Sequence, residues 1–92
     1  MKFMVQWSFP PEKYEAVVKR WESEHRKSRE KKGARLLGKW HGVSTNCGFQ
    51  LYEVDDPLAL SDVLAPFQGL IEHKVTLVVA DEDIPRDYTV PR

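Results

Sequence analysis

Hydrophobic and polar residues alternate at the start of the chain: Phe3, Val5, Trp7 and Phe9 fall on one side of KFMVQWSF, and Met4, Gln6 and Ser8 on the other. A period of two predicts a strand with two distinct faces. The next stretch, PPEKYEAVVKRWESEHRKS, changes period. Pro11 suits a first helical turn, and Tyr14, Val17, Val18, Trp21, His25 and Ser28 share one helical face. Gly33 is the expected stop. ARLLGKWHG and CGFQLYEV then read as two strands joined by the polar turn VSTN, where Asn46 supplies tolerance of turn conformations. In DDPLALSDVLAPFQG, Asp56 is the predicted cap and Pro57 the first helical residue. Leu60, Val63, Leu64 and Phe67 fall together, and Pro66 and Gly69 end the helix. HKVTLVVA is a last strand, and DEDIPRDYTVPR is a polar tail with little to bury.

The order β-α-β-β-α-β is the split βαβ, or ferredoxin-like, arrangement of the α+β class. Right-handed crossovers place both helices on one face of a four-stranded antiparallel sheet. If the hairpin pairs Trp40 near Phe49, the helix-covered face takes Phe3, Val5, Trp7, Trp40, Phe49, Leu51, Val75, Leu77 and Val79. The second face then carries Met4, Gln6, Leu37, Lys39, His41, Gln50, Tyr52, Val54, Thr76 and Val78. That set is too apolar for open water. A second copy of the same sheet covers it most economically, so the expected assembly is a two-fold homodimer, a dimeric α+β barrel. The barrel domain is expected over residues 1–80, with a tail over 81–92.

Composition narrows the setting. Ninety-two residues make one domain, near the size at which burial becomes marginal. With 41% hydrophobic and 30% charged residues the chain is globular rather than disordered. It has no apolar run of about 18 residues to span a membrane, and MKFMVQW lacks the segments of a signal peptide. No membrane association and a cytoplasmic location are expected. The single cysteine forms no internal disulfide, in keeping with a reducing compartment.

Net charge is zero but polarised. Residues 1–46 hold eleven Lys and Arg against five Asp and Glu, a net of +6, and residues 47–92 hold three against nine, a net of −6. Cations in RKSREKKGAR, residues 26–35, complement the dipole at a helix end and keep it solvated. The run has no interleaved aromatic residues, so a nucleic-acid partner is not expected.

Candidate chemistry concentrates in KWHGVSTNCGFQLYE, where His41, Asn46 and Cys47 fall within seven positions. Cys47 shares its side of the strand with Phe49 and Leu51, as a small core residue would, and His41 points to the opposite face. A Cys-His pair would need a bulge to bring the two to one side. His25 reads as a packing residue and His73 as a surface residue. No metal-ligand spacing joins the histidines and Cys47, and no cofactor is implied. Asp81, Glu82, Asp83 and Asp87 lack the glycine and the terminal glutamate of a calcium loop. The three tryptophans are most simply core residues. One constellation remains, formed by Gln6, His41, Gln50 and Tyr52 on the face expected to be buried. These groups either satisfy one another across the dimer or, with Trp7 and Trp40, line a small-molecule pocket. In a pocket His41 and Tyr52 are the acid-base candidates.

The opening MKFMVQW, and KWHGVSTNCGFQLYEVDDP leading into the second helix, resemble an uncharacterised small-protein family, a domain of unknown function of the dimeric α+β barrel superfamily. The resemblance covers residues 1 to about 80, and its most suggestive part, FQLYEVDDP, is a structural signature of strand, cap and helix start. It implies kinship with cofactor-independent monooxygenases, muconolactone isomerase-like enzymes, haem-binding oxygenases, stress-responsive barrel proteins and ligand-binding regulatory domains. A fold shared so widely does not select a function, and no catalytic residue carries over. Three functions stay open, and with them whether the protein is an enzyme. The first is a homodimer binding a small apolar or aromatic ligand. The second is a cofactor-independent monooxygenase or isomerase using His41 and Tyr52. The third is a protein-interaction module built on the basic helix end and the acidic tail.

Overall fold

Four strands hydrogen-bond into one antiparallel sheet in the order β2-β3-β1-β4, with β1 at Lys2–Ser8, β2 at Ala34–His41, β3 at Cys47–Val54 and β4 at Glu72–Val78. The structure is a computed structural model that describes residues 1–27 and 33–85, with residues 25–27 described as helix only. Helix α1 spans Tyr14–Lys27 after a 3-10 turn at Pro11–Lys13, and helix α2 spans Pro57–Leu64 before a 3-10 turn at Ala65–Phe67. A last 3-10 turn covers Asp81–Asp83. The fold is ferredoxin-like and α+β. The expectations for the side chains of His25 and Ser28, for the basic run over 26–32, and for the tail from residue 86 lie outside the described residues.

Local chemistry accounts for the helix boundaries. The Asp56 carboxylate accepts from the Leu58 N–H at 2.8 Å while Pro57, at the first helical position, has no N–H to leave unpaired. After Leu64 the chain tightens to 3-10 at Pro66, which cannot donate to the α-helical ladder. Two cations of the first helical segment tie down the chain between α2 and β4: Lys13 Nζ donates to the Gly69 carbonyl at 2.8 Å, and Arg20 Nη1 to the Pro66 carbonyl at 2.7 Å. Gly33, at φ 83°, sits immediately before β2, and its carbonyl accepts from the Asp55 N–H at 2.9 Å. In the hairpin turn the left-handed residue is Ser44, at φ 61°, not Asn46, whose carbonyl instead accepts from the Phe9 N–H at 3.1 Å.

Both helices lie on one face of the sheet. Val5 of β1 is buried with Ala34, Tyr52, Val54 and Leu60 of α2, and Trp7 of the same β1 face is buried with Phe9, Val17 of α1 and Ile71. The pairing decides the rest. Phe3 lies opposite Tyr52, Val5 opposite Gln50 and Trp7 opposite Gly48, and residues directly opposite share a face. Gly48, Gln50, Tyr52 and Val54 are therefore under the helices, and Cys47, Phe49 and Leu51 are on the open face.

This corrects the expected facing of β2 and β3. Trp40 does pair with Phe49, but on the open side, where they are 52% and 42% exposed. Lys39 and His41 accordingly turn toward the helices with their partners Gln50 and Gly48. The physical cause is the Trp7 indole, which lies across Gly48: a β-carbon there would meet Trp7 Cε2 at 2.8 Å. Only glycine leaves that room, so Gly48 and every second residue after it must face Trp7. A register shift between Leu36 and Gly38 interrupts the β2–β3 ladder. On the open face Met4, Leu51, Phe49 and Trp40 form an apolar centre, with the Trp40 ring lying over Gly38. Among the described residues, no helix is long and apolar enough to cross a membrane.

Candidate functional site

Two rows of side chains cross the helix-covered face and organise its chemistry. One runs His41, Gly48, Trp7, His73 from β2 to β4, and the next runs Lys39, Gln50, Val5, Val75. The β4 end and the β2 end present different surroundings.

At the β4 end, α2 stands off from the sheet and leaves a cleft of about 490 Å³. Phe3, Leu60, Leu64, Ile71 and Val75 supply apolar walls, and Ser61, Gln68 and His73 supply polar groups. An apolar recess of this size with a few directing polar groups has the usual form of a small-molecule site. His73 is half-buried, and desolvation lowers its pKa from the ordinary 6.5, so the neutral imidazole is favoured near neutral pH. In that form one ring nitrogen donates and the other accepts. The surface role expected for His73 is therefore corrected. Its parity with Val75 and Leu77 was a usable signal, because same-parity residues of β4 lie on the helix side of the sheet, in register with Val5 and Phe3 of β1.

At the β2 end an aromatic cluster surrounds a cation. Lys39 Nζ lies 4.4 Å over the Trp21 ring and 6.0 Å from the Trp7 ring. The His41 ring stands edge-on to Trp7 at 5.3 Å and to Trp21 at 6.3 Å. Trp7 and Trp21 are themselves edge to face at 5.3 Å. Lys39 is exposed as a whole residue, yet its pKa is lowered by desolvation, because the rings displace water from the ammonium. The Trp7 Nε1–H is buried without an acceptor.

The residues expected to form a site are divided by the sheet. Trp7, His41, Gln50 and Tyr52 face the helices, and Gln6 and Trp40 face the open side. Tyr52 is buried in the core with Val5 and Leu60, and desolvation raises its pKa, keeping the phenol neutral. It lies four residues along β3 from Gly48, the neighbour of His41, so roughly 13 Å of strand separates the two. No direct proton transfer joins them at that distance. Cys47 is half-buried on the open face rather than in the core, with Sγ 3.1 Å from Thr45 Oγ1, and His41 is on the other face. Among the described residues, no group of three or more His, Cys, Asp and Glu is placed to hold a metal ion.

Over residues 1–86 the chain matches the model of a family described as a domain of unknown function (DUF3303). No curated protein matches it.

Proposed function

The chain belongs to this family of unknown function, DUF3303, and from its geometry we propose that it is a homodimeric α+β barrel protein that binds a small, neutral, apolar or aromatic molecule. The observation that carries the ligand reading is the cleft between α2 and β4, with apolar walls on Phe3, Leu60 and Val75 and a desolvated histidine, His73, among them. A neutral imidazole in an apolar recess favours an uncharged ligand with one donor or acceptor, such as a phenol or a short lactone. Tyr52 and Trp7 support the sheet beneath this site from the core.

The homodimer rests on the open face. Trp40, Phe49, Leu51 and Met4 form a contiguous apolar centre, bordered by Lys2, Arg35 and Lys74 and by Glu53 and Glu72. Charges of both signs around an apolar centre permit the self-complementarity that a two-fold interface requires. Burying this face against its copy also enlarges the core of a chain too small to bury much alone.

Titration of phenols and short apolar lactones against isotope-labelled protein tests the ligand reading. Shifts are expected at Phe3, His73 and Val75, and Ser61→Trp, which fills the cleft from α2, is expected to abolish them while leaving the fold intact. Binding that persists in Ser61→Trp with shifts elsewhere would overturn the assignment of the cleft.

A further inference from the structure

We infer that the cleft between α2 and β4 changes the class of ligand it accepts with pH, taking neutral aromatic molecules when His73 is uncharged and aromatic carboxylates when His73 carries a proton. The inference rests on the cleft reading above and adds a charge selector to it. Among the residues that line the cleft His73 alone is ionisable, and the rest are apolar apart from the hydroxyl of Ser61 and the amide of Gln68. Neither of those two groups changes charge with pH, and each can donate or accept a hydrogen bond, so they serve a phenol and a carboxylate alike. The charge of the site is therefore the charge of one imidazole.

The groups around His73 leave that charge uncompensated. Trp7 lies directly opposite on β1, and the next pair on the same face is Val5 with Val75. Glu72 and Lys74, paired with Ser8 and Gln6, have the opposite parity and belong to the open face. From the first helical segment Lys13 and Arg20 reach the chain between α2 and β4, where the Gly69 and Pro66 carbonyls hold them, and neither lines the cleft. Asp62 of α2 adjoins Ser61 without lining the cleft. Among the described residues no carboxylate lines it, so a ligand carboxylate is the counter-ion that a protonated His73 calls for. A neutral ring that displaces water from the imidazole disfavours its charged form, whereas a carboxylate beside it favours that form. Desolvation by burial already lowers the His73 pKa, the direction in which a neutral occupant pushes further. Linkage then fixes opposite signs: protons weaken the first kind of binding and strengthen the second.

Titrations with 2-naphthol and 2-naphthoate test the inference, because the two share a ring system and differ in charge. Between about pH 5 and about pH 8 the phenol stays neutral and the carboxylate stays ionised, their pKa values being near about 10 and about 4. From about pH 8 down to about pH 5, affinity for 2-naphthol is expected to fall at least about threefold and affinity for 2-naphthoate to rise at least about threefold. The ring signals of His73 in the wild-type protein read the linkage directly: 2-naphthol should lower the midpoint of their titration, and 2-naphthoate should raise it. His73→Gln, which keeps a polar group and removes the charge, should abolish both slopes. Affinities that are flat with pH, or that move in the same direction, overturn the inference, as do opposite slopes that survive in His73→Gln. Ser61→Trp should abolish binding of both compounds. If neither compound binds wild type at any pH, or if both still bind Ser61→Trp, the cleft reading fails and this inference with it, whereas binding in the cleft without opposite slopes overturns this inference alone.

Discussion

Replacing Gly48 by alanine tests the contact that sets the facing of the whole β2–β3 hairpin. The added β-carbon would stand 2.8 Å from Trp7 Cε2, and nearer still to Trp7 Cζ2 and to the Trp40 carbonyl oxygen. Carbon atoms pack best at about 3.5–4.0 Å, so each of these contacts is repulsive. Neither neighbour can withdraw easily. Trp7 is held between the stacked Phe9 ring at 6.0 Å and the edge-on rings of Trp21 and His41 at 5.3 Å, and the Trp40 carbonyl belongs to the ladder of the paired strands. Overpacking of a well-filled core costs about 1–3 kcal/mol. In a domain of this size each kcal/mol lowers the melting temperature by about 4–8 °C, so a fall of roughly 5–20 °C is expected by calorimetry or circular dichroism. Gly38→Ala is the control: its β-carbon would meet Trp40 Cη2 at 2.5 Å, but that ring is half-exposed on the open face and can swing away, so a small loss is expected. In a Trp7→Leu background the alanine at 48 should cost less than in wild type, a coupling that a double-mutant cycle reads directly. A Gly48→Ala protein melting within about 2 °C of wild type would refute the placement of the indole over Gly48, and with it the facing of Gln50, Tyr52 and Val54.

The same geometry has consequences for pH dependence and for assembly. Desolvation lowers the folded-state pKa of His73 below the ordinary 6.5, so as pH falls through that value the unfolded chain takes up the proton first. Stability present above about pH 6.5 is then lost progressively until the folded pKa is reached, and wild type should lose more melting temperature than His73→Leu between about pH 7.5 and pH 5. Parallel pH profiles would remove His73 from its desolvated position. Phe49→Asp on the open face should halve the solution mass measured by light scattering, because it places an unpaired charge in the proposed dimer interface. An unchanged assembly, or a wild type already monomeric at micromolar concentration, would refute the role given to this face.

The elements of this protein were legible in its sequence because their signals are local. Alternation around Val5, the 3.6-residue spacing of Val17 and Trp21, and the Asp56–Pro57 start of α2 each act within a few residues, and they yield the β-α-β-β-α-β order without any tertiary contact. The facing of β3 was not legible, because alternation separates two sets of residues without saying which set is buried. Cys47, Phe49 and Leu51 are as apolar as Gly48, Tyr52 and Val54, and the choice between them falls to the Trp7 ring, 41 positions earlier in the chain than the glycine it needs. Shifting that choice by one residue moved Lys39, His41, Gln50 and Tyr52 to the helix side and Trp40 to the open side, which divided the site expected from sequence. His73 was misread for a related reason. A strand residue lines a cleft only where the helix above leaves a gap, and the distance of α2 from β4 depends on the packing of both core clusters at once, which no single stretch of the chain encodes.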